Sequence, residues 1–423
     1  MKKNVWILNH YAGGMLFAHG GRHYSLAKYL KEAGYAPVVF CANAQHQKAA
    51  RFFDDDQLWR EEMAEEIRVP FLFVKARTYT GNGKQRLLNM LDFYCNVKKT
   101  AKEYAKTHGK PDVIYASSVH PLTLVAGIQL AKKFGVKCIC EVRDLWPESI
   151  VVYSTRFKKT NPLIRLLYLG EKWIYKKADQ LIFTMEGAYK YIQDQGWEKA
   201  IPSAKVFYIN NGVDLESYAA QREENRLEDE DLLREDTFKV VYAGSIRHAN
   251  GLSELVACAE LLQEEESIQF LVYGTGDDLP RLQEEVNTKN LSNIIFKGQV
   301  PKNKVPFVLA HSSVNLLNYN LQTAHVYKYG SSQNKLFEYL ASGKPILSNI
   351  QINYGLIERY GCGISREIVS AREYADAILE LYRLSKEDYA QMCENGRKGA
   401  ADYDFKKLTD ALIEIIEITE RGK

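Results

Sequence analysis

The stretch Asp112–Ser149, DVIYASSVHPLTLVAGIQLAKKFGVKCICEVRDLWPES, decides the fold. DVIYASS (112–118) is a short apolar run of strand character. Residues around 122–134 read as a helix, and KCICEVR (137–143) is a second apolar run. Two apolar strands joined by a helix make a crossover unit, and such units build parallel sheets covered on both faces.

The same alternation extends in both directions. Upstream, NVWILNH (4–10) reads as a buried strand followed by a glycine-rich loop. A helix over Arg22–Ala33 ends at Gly34, and APVVFC (36–41) is the next strand. Residues 42–100 are less regular and include Asp54-Asp55-Asp56. Downstream come a long helix near 162–177, then QLIFTM (180–185) and KVFYINNG (205–212). The acidic stretch AAQREENRLEDEDLLREDT (219–237) lacks a clear core face and reads as a linker or surface insertion.

The series then restarts with FKVVYAGS (238–245) and a helix at 251–264. IQFLVYGTG (268–276), a helix at 279–289, NIIFKGQV (293–300) and a helix around 302–311 follow. SVNLLNY (313–319), the helix in SSQNKLFEYLASGKPILSN (331–349) and the strand PILSN complete it. The class is α/β, with two doubly wound parallel-sheet domains over 1–205 and 206–403. The amphipathic C-terminal helix, 404–423, is expected to pack back on the first domain. Ligands in such folds bind outside the carboxyl ends of the strands, so two facing domains are expected to share a cleft.

Bulk numbers narrow the function. A chain of 423 residues with 46% hydrophobic and 26% charged residues is an ordinary globular composition of two or three domains. The net charge of +3 hides an asymmetry. Residues 1–205 hold 32 Lys and Arg against 19 Asp and Glu, whereas residues 206–423 hold 24 against 34. The first half is therefore expected to face something anionic. Seven cysteines without a C-x-x-C pair read as reduced thiols, with Cys138 and Cys140 as small core residues on one strand. The apolar run Val5–Leu8 is too short for a signal peptide, and no window of 18 apolar residues offers a membrane span. A cytoplasmic protein is the expectation.

Several motifs fail on inspection. In SGKP the order is helix–turn–strand and Pro345 follows Lys344, so it is no Walker phosphate loop. YGTGDDL has Gly274 and Gly276 but Leu279 where a dinucleotide fingerprint needs its third glycine. The nine histidines form no H-E-x-x-H motif, and the acidic runs suit solvated loops, so no metal is expected. Lys335 and Glu338 differ from these. Three residues apart, they share one helix face near a helix start, where free N–H groups favour an anion. An ammonium suits phosphate and a carboxylate suits a pair of hydroxyls. The plain alternative is a surface ion pair worth about 0–1 kcal/mol.

Taken in order, these segments resemble the family 4 retaining glycosyltransferases, which have the two-Rossmann-domain GT-B fold. The resemblance rests on GGRHYSLAKYLKEAGYAPVVF, the opening stretch, ADQLIFTMEGAYKYI, YINNGVDLESY, VVYAGSIRHANGLSELVACAELL, FLVYGTGDDLPRLQEEV and NKLFEYLASGKPILSN. RDLWPES with NKLFEYLASGKP is similar to the bacterial subset that builds O-antigen, capsule or other cell-surface polysaccharide.

The resemblance implies a hexosyl or N-acetylhexosaminyl transferase that uses a nucleotide-sugar, UDP being the family's commonest nucleotide, without metal or resident cofactor. Glu338 would bind the ribose hydroxyls. Lys335 and Arg247 would contact the diphosphate. Gly244 and Gly274 would let strand ends approach the nucleotide, with Ser331, Ser332 and Asn334 lining the donor site. Gly20, Gly21, Arg22 and His120 would lie on the acceptor side. Asp144 would orient acceptor or donor sugar. The acceptor would be lipid-linked or a nascent glycan. The basic segment with Arg156, Lys158, Lys159, Arg165, Lys172, Lys176 and Lys177 beside Leu166, Leu167 and Trp173 would meet an anionic membrane, on the inner face of the plasma membrane. No nucleic-acid partner is expected.

Two departures stand out. The first of two family glutamates eight residues apart would fall at Gly330, and Asn250 stands near the place of a phosphate-binding lysine. The lost glutamate leaves open a catalytically inactive nucleotide-binding subunit. A GT-B sugar-nucleotide epimerase shares the fold, but its constellation of acids and histidines is not evident here. An NAD-dependent oxidoreductase lacks its fingerprint.

Overall fold

The computed structural model describes residues 2–118, 120–153, 157–321 and 327–421. The chain divides into two compact units, Met1–Asn210 with Phe405–Lys423, and Asn211–Asp404.

The first unit is built on eight strands: β1 (Asn4–Leu8), β2 (Ala36–Ala42), β3 (Trp59–Ala64), β4 (Val69–Val74), β5 (Val113–Ser117), β6 (Lys137–Val142), β7 (Gln180–Phe183) and β8 (Val206–Tyr208). Their spatial order is β3-β4-β2-β1-β5-β6-β7-β8. Every neighbouring pair is parallel except β3 with β4. The central strands are apolar on both faces because helices cover both. Val5, Trp6, Ile7 and Leu8 of β1 are all buried. The charged strand β3, WREEMA, sits at the edge with its solvent side open, which blunts further pairing. It accounts for part of the irregular region 42–100, and the helix Lys84–His108 accounts for more.

The deciding stretch forms the crossover read from it. β5 runs into the helix Pro121–Phe134 and returns as β6, with Val113 opposite Lys137. A Cβ added at Gly127 would meet the Cβ of Ala116 at 2.5 Å, so this glycine lets the helix lie close on β5. The expected glycine loop after β1 contains a short helix, Gly13–Phe17, before the helix Arg22–Glu32. The C-terminal helix Phe405–Arg421 packs on the helix Arg22–Glu32 and on β6.

The second unit holds β9 (Phe238–Ala243), β10 (Ile268–Tyr273), β11 (Ile294–Gly298), β12 (Val314–Leu317), β13 (Ile346–Ser348) and β14 (Gly363–Ser365). The order is β11-β10-β9-β12-β13-β14, all parallel. The order reverses between β9 and β12, which opens a crevice at their carboxyl ends. The acidic stretch 219–237 differs from its reading as a linker. It forms the end of the helix Leu215–Glu224 and the short helix Glu230–Leu233. Leu232 is fully buried, and Asp229 accepts from Lys297 and from the Tyr273 hydroxyl, both at 2.7 Å. Its charges pair with strand residues, so hydropathy alone hides its packing. Among the described residues no helix is long and apolar enough to cross a membrane.

Candidate functional site

The second unit gathers its polar groups where β9 and β10 end. The helix Asn334–Ser342 buries Leu336, Phe337, Tyr339 and Leu340, which leaves Lys335 and Glu338 on its outer face. Its N-cap, Gln333, makes no side-chain cap bond, so no side chain from the cap competes for the N–H groups of the first turn. Gly343 closes the helix with φ +63°.

Three glycines shape the floor. A Cβ on Gly244 would lie 2.1 Å from the Nζ of Lys335. One on Gly274 would lie 1.8 Å from the Gly244 carbonyl oxygen, and one on Gly276 would lie 1.9 Å from that of Ile246. The strand ends thus close on each other, and the ammonium rests on bare backbone. Lys335 Nζ donates to the Tyr242 hydroxyl at 3.1 Å and stands 4.5 Å from the centroid of that ring. The Tyr242 hydroxyl in turn donates to the Ser245 carbonyl at 2.7 Å. Burial pushes the Lys335 amine down to about 8, against the opposing pull of Glu338.

Glu338 forms an ion pair with Lys302, a lysine 66% exposed. The Tyr218 hydroxyl is buried without a hydrogen-bond partner. Burial first, then the Glu338 charge, raises it above the usual phenol range. Lys302, Tyr242 and Tyr218 were not expected from the sequence. Only Tyr242 carries a signal, as a tyrosine just before the strand-end glycine. Ser332 accepts from the Asn211 carboxamide at 3.0 Å, and Asn334 and Arg247 are exposed. Ser331 lines a small pocket with Leu336, Tyr354 and Glu358. Gly330 adopts φ +104°, a conformation that favours glycine, so this loop is not shaped for a glutamate there.

The first unit carries the remaining expected residues. Asp144 follows β6, is exposed, and lines a small pocket with Ser118, Trp146, Glu171 and Tyr175. The surrounding protein raises its carboxyl, with Arg143 and Arg86 opposing. Glu171 is buried, and burial pushes it up to about 8 although the Tyr175 and Tyr191 hydroxyls donate to it at 2.6 and 2.7 Å. Gly20 and Gly21 precede the helix Arg22–Glu32, and Gly21 has φ +100°.

Arg22 and His120 depart from the expected open acceptor side. Arg22 is 3% exposed, and its guanidinium is engaged with Glu141 and the carbonyls of Ile209 and Asn210. Burial would raise Glu141, but Arg22 and the His23 contact hold it well below the usual carboxylate range. His120 is 1% exposed, with Nε2 2.8 Å from Nδ1 of His10. Both residues serve the interior of the first unit: the Arg22 guanidinium is fully engaged there, and His120 is buried with Nε2 on His10, although its Nδ1 has no partner among the described residues. Arg156 of the basic segment lies outside the described residues.

Among the described residues no group of three or more His, Cys, Asp or Glu gathers as a metal site. Residues 22–217 match the family model described as Glycosyltransferase Family 4, and residues 223–399 match Glycosyl transferases group 1. A search of curated proteins finds no match. Sucrose-phosphate synthase from Thermosynechococcus elongatus superposes with a TM-score of 0.70 at 17% identity, over 100% of each chain. The Anabaena protein HepE, in complex with UDP, gives 0.65 at 15% identity over 99% of this chain and 100% of its own. A glycosyltransferase from Rickettsia africae gives 0.64 at 13% identity over 100% of each. At these identities the likeness is one of fold.

Proposed function

We propose that this chain, whose residues 22–217 match a family 4 glycosyltransferase model and residues 223–399 a group 1 model, is a GT-B glycosyltransferase that uses a UDP-sugar. The observation that carries this reading is the Lys335 ammonium resting over Gly244 with Glu338 one turn further along. A nucleoside diphosphate needs both: a cation for the phosphates and a carboxylate for two ribose hydroxyls. HepE, of the same fold, holds UDP.

Transfer breaks the bond between the anomeric carbon and the diphosphate oxygen and forms one to an acceptor hydroxyl oxygen. Negative charge grows on the departing diphosphate. Lys335, Arg247 and the first-turn N–H groups of the helix Asn334–Ser342 would stabilise it, which is the main catalytic task. In the retaining route the acceptor attacks from the leaving-group face, and its proton passes to a departing phosphate oxygen. Asp144, with its raised carboxyl, would orient the acceptor or the donor sugar. No metal enters this scheme. The acceptor would be a lipid-linked or nascent glycan in cell-surface polysaccharide synthesis, handled at the inner face of the plasma membrane.

A thermal-shift screen against UDP, GDP, ADP and CDP tests the reading. The expected result is stabilisation by UDP above the others, lost in Lys335→Ala and in Glu338→Ala. Equal stabilisation of both variants and the parent would sink the site assignment.

A further inference from the structure

The helix Pro162–Lys177 has two apolar faces, and only one is in the core. Ile164, Ile174 and Tyr175 are buried against the first unit. On the other side Leu163 is 54% exposed, Leu166 62%, Leu169 65% and Trp173 42%. At 100° per residue these four fall on one stripe. Leucines on a solvated helix face ordinarily give way to polar residues, so a stripe of this kind marks a contact.

Charge identifies the contact. Arg165, Lys172 and Lys176 run along one flank of the stripe, and Lys177 lies within it. The one carboxylate of the helix, Glu171, points inward to Tyr175 and Tyr191. The outward surface of this helix therefore carries cations and no anion.

We propose that this face is a docking surface for an anionic lipid bilayer. The helix would lie in the interface plane. The leucines would enter the acyl boundary, Trp173 would sit at headgroup depth, and the lysines would reach the lipid phosphates. The inference deepens the acceptor reading given above and rests on it for its purpose. The helix lies between the parallel strands β6 and β7, so it starts at their carboxyl ends and runs back. Docking would set that edge of the sheet, with Asp144, beside the bilayer where a lipid-linked acceptor is presented.

The test uses the full chain with vesicles of phosphatidylcholine alone and with phosphatidylglycerol added. The protein is expected to sediment with the anionic vesicles at low salt and to leave them at high salt. Leu166→Ser with Leu169→Ser, and separately Lys172→Gln with Lys176→Gln, are each expected to lower partition about tenfold or more. A blue shift of tryptophan emission on adding vesicles is expected in the parent and absent in Trp173→Phe. UDP-induced thermal shifts, unchanged in all these variants, show that they are folded. No sedimentation at low salt, parent-like partition of both double variants, or a parent dimer that the leucine variant dissociates would each overturn the proposal. Vesicle binding without any UDP shift would instead sink the donor reading and leave the docking surface standing.

Discussion

The Nζ of Lys335 and the missing side chain of Gly244 compete for one space, since a Cβ on Gly244 would lie 2.1 Å from that nitrogen. Lys335 approaches the end of β9 because nothing projects there. The ammonium is thereby fixed over Tyr242 rather than free to sample solvent. Preorganised charge of this kind stabilises a leaving anion without reorganisation during the reaction.

Gly244→Ala should therefore displace Lys335 and raise the donor KM about tenfold or more, and the φ of +157° adds backbone strain that should cost about 1 kcal/mol of stability. The obstacle it meets is the end of a flexible side chain. Gly274→Ala meets the backbone oxygen of Gly244 at 1.8 Å, which cannot yield so easily. That variant should lose about 1–3 kcal/mol of stability. Donor titrations and urea melts of the two variants separate the outcomes. If Gly244→Ala binds donor as the parent does, Lys335 is not the phosphate contact.

Lys335 also predicts a pH profile. Burial brings its amine from 10.5 down to about 8. The folded value lies below the unfolded one, so folding releases a proton between these limits and stability rises with pH across that window. Donor use moves the other way, because only the ammonium offsets diphosphate charge. On this basis kcat/KM should fall above about pH 8, and the limb in kcat should lie higher, since bound diphosphate favours the charged form. Lys335→Arg should be slower at neutral pH yet show no such limb. A limb unchanged in that variant would assign the titration to another group.

Glu338 is paired with Lys302. The pair is exposed on the lysine side and so is worth about 0–1 kcal/mol, weak enough that the ribose hydroxyls of the proposed donor would displace it. Glu338→Ala should raise the donor KM about tenfold or more. Lys302→Ala should change it less than about fivefold. Equal losses from both would mean that the lysine itself holds the donor.

Local spacing made the fold and half of this site legible. Apolar runs of strand length separated by helical periods placed β1, β2, β5 to β13 and the helix Pro162–Lys177, but not β3, β4 or β14. Lys335 and Glu338 share a face because three residues make nearly one turn. What remained hidden was long-range. Lys302 meets a carboxylate 36 positions away, and Arg22 meets one 119 positions away. Nothing in the spacing of RHYSLA shows that its arginine turns inward rather than toward a ligand. The acidic residues 219–237 looked unpackable because their partner, Lys297, lies on β11. The edge strand β3 was missed because its charges face water and its pattern is not apolar.

Arg22 and Glu141 form a buried pair with His23, Tyr115 and Ser117 also on the carboxylate. Glu141→Ala strands a guanidinium in the core and should destabilise the first unit by about 3–5 kcal/mol. Arg22→Met with Glu141→Leu removes both charges and should lose less than Glu141→Ala alone. Urea unfolding of Glu141→Ala, of Arg22→Met and Glu141→Leu singly, and of the double variant checks this. Additive losses in the double variant would show that the two side chains act independently.

His10 and His120 share a bond of 2.8 Å between ring nitrogens, so one ring must accept and be neutral. Burial holds both neutral: His120 is pushed down to about 3, and His10 falls well below its usual value, with the His120 charge adding to the effect. The unfolded rings take up protons near 6.5, where the folded ones do not. The unfolded state thus gains protons as pH falls, and stability declines below about 6.5 by up to about 1.4 kcal/mol per pH unit for each ring. Glu171, raised to about 8, acts in the opposite sense, losing stability as pH rises from 4.5. Comparing variants therefore isolates the histidines. Melting temperatures at pH 7, 6 and 5 should fall steeply in the parent. In His120→Gln, which keeps a donor and an acceptor but does not titrate, the decline should be shallower. A parent and a variant with parallel declines would place the acid sensitivity outside this pair.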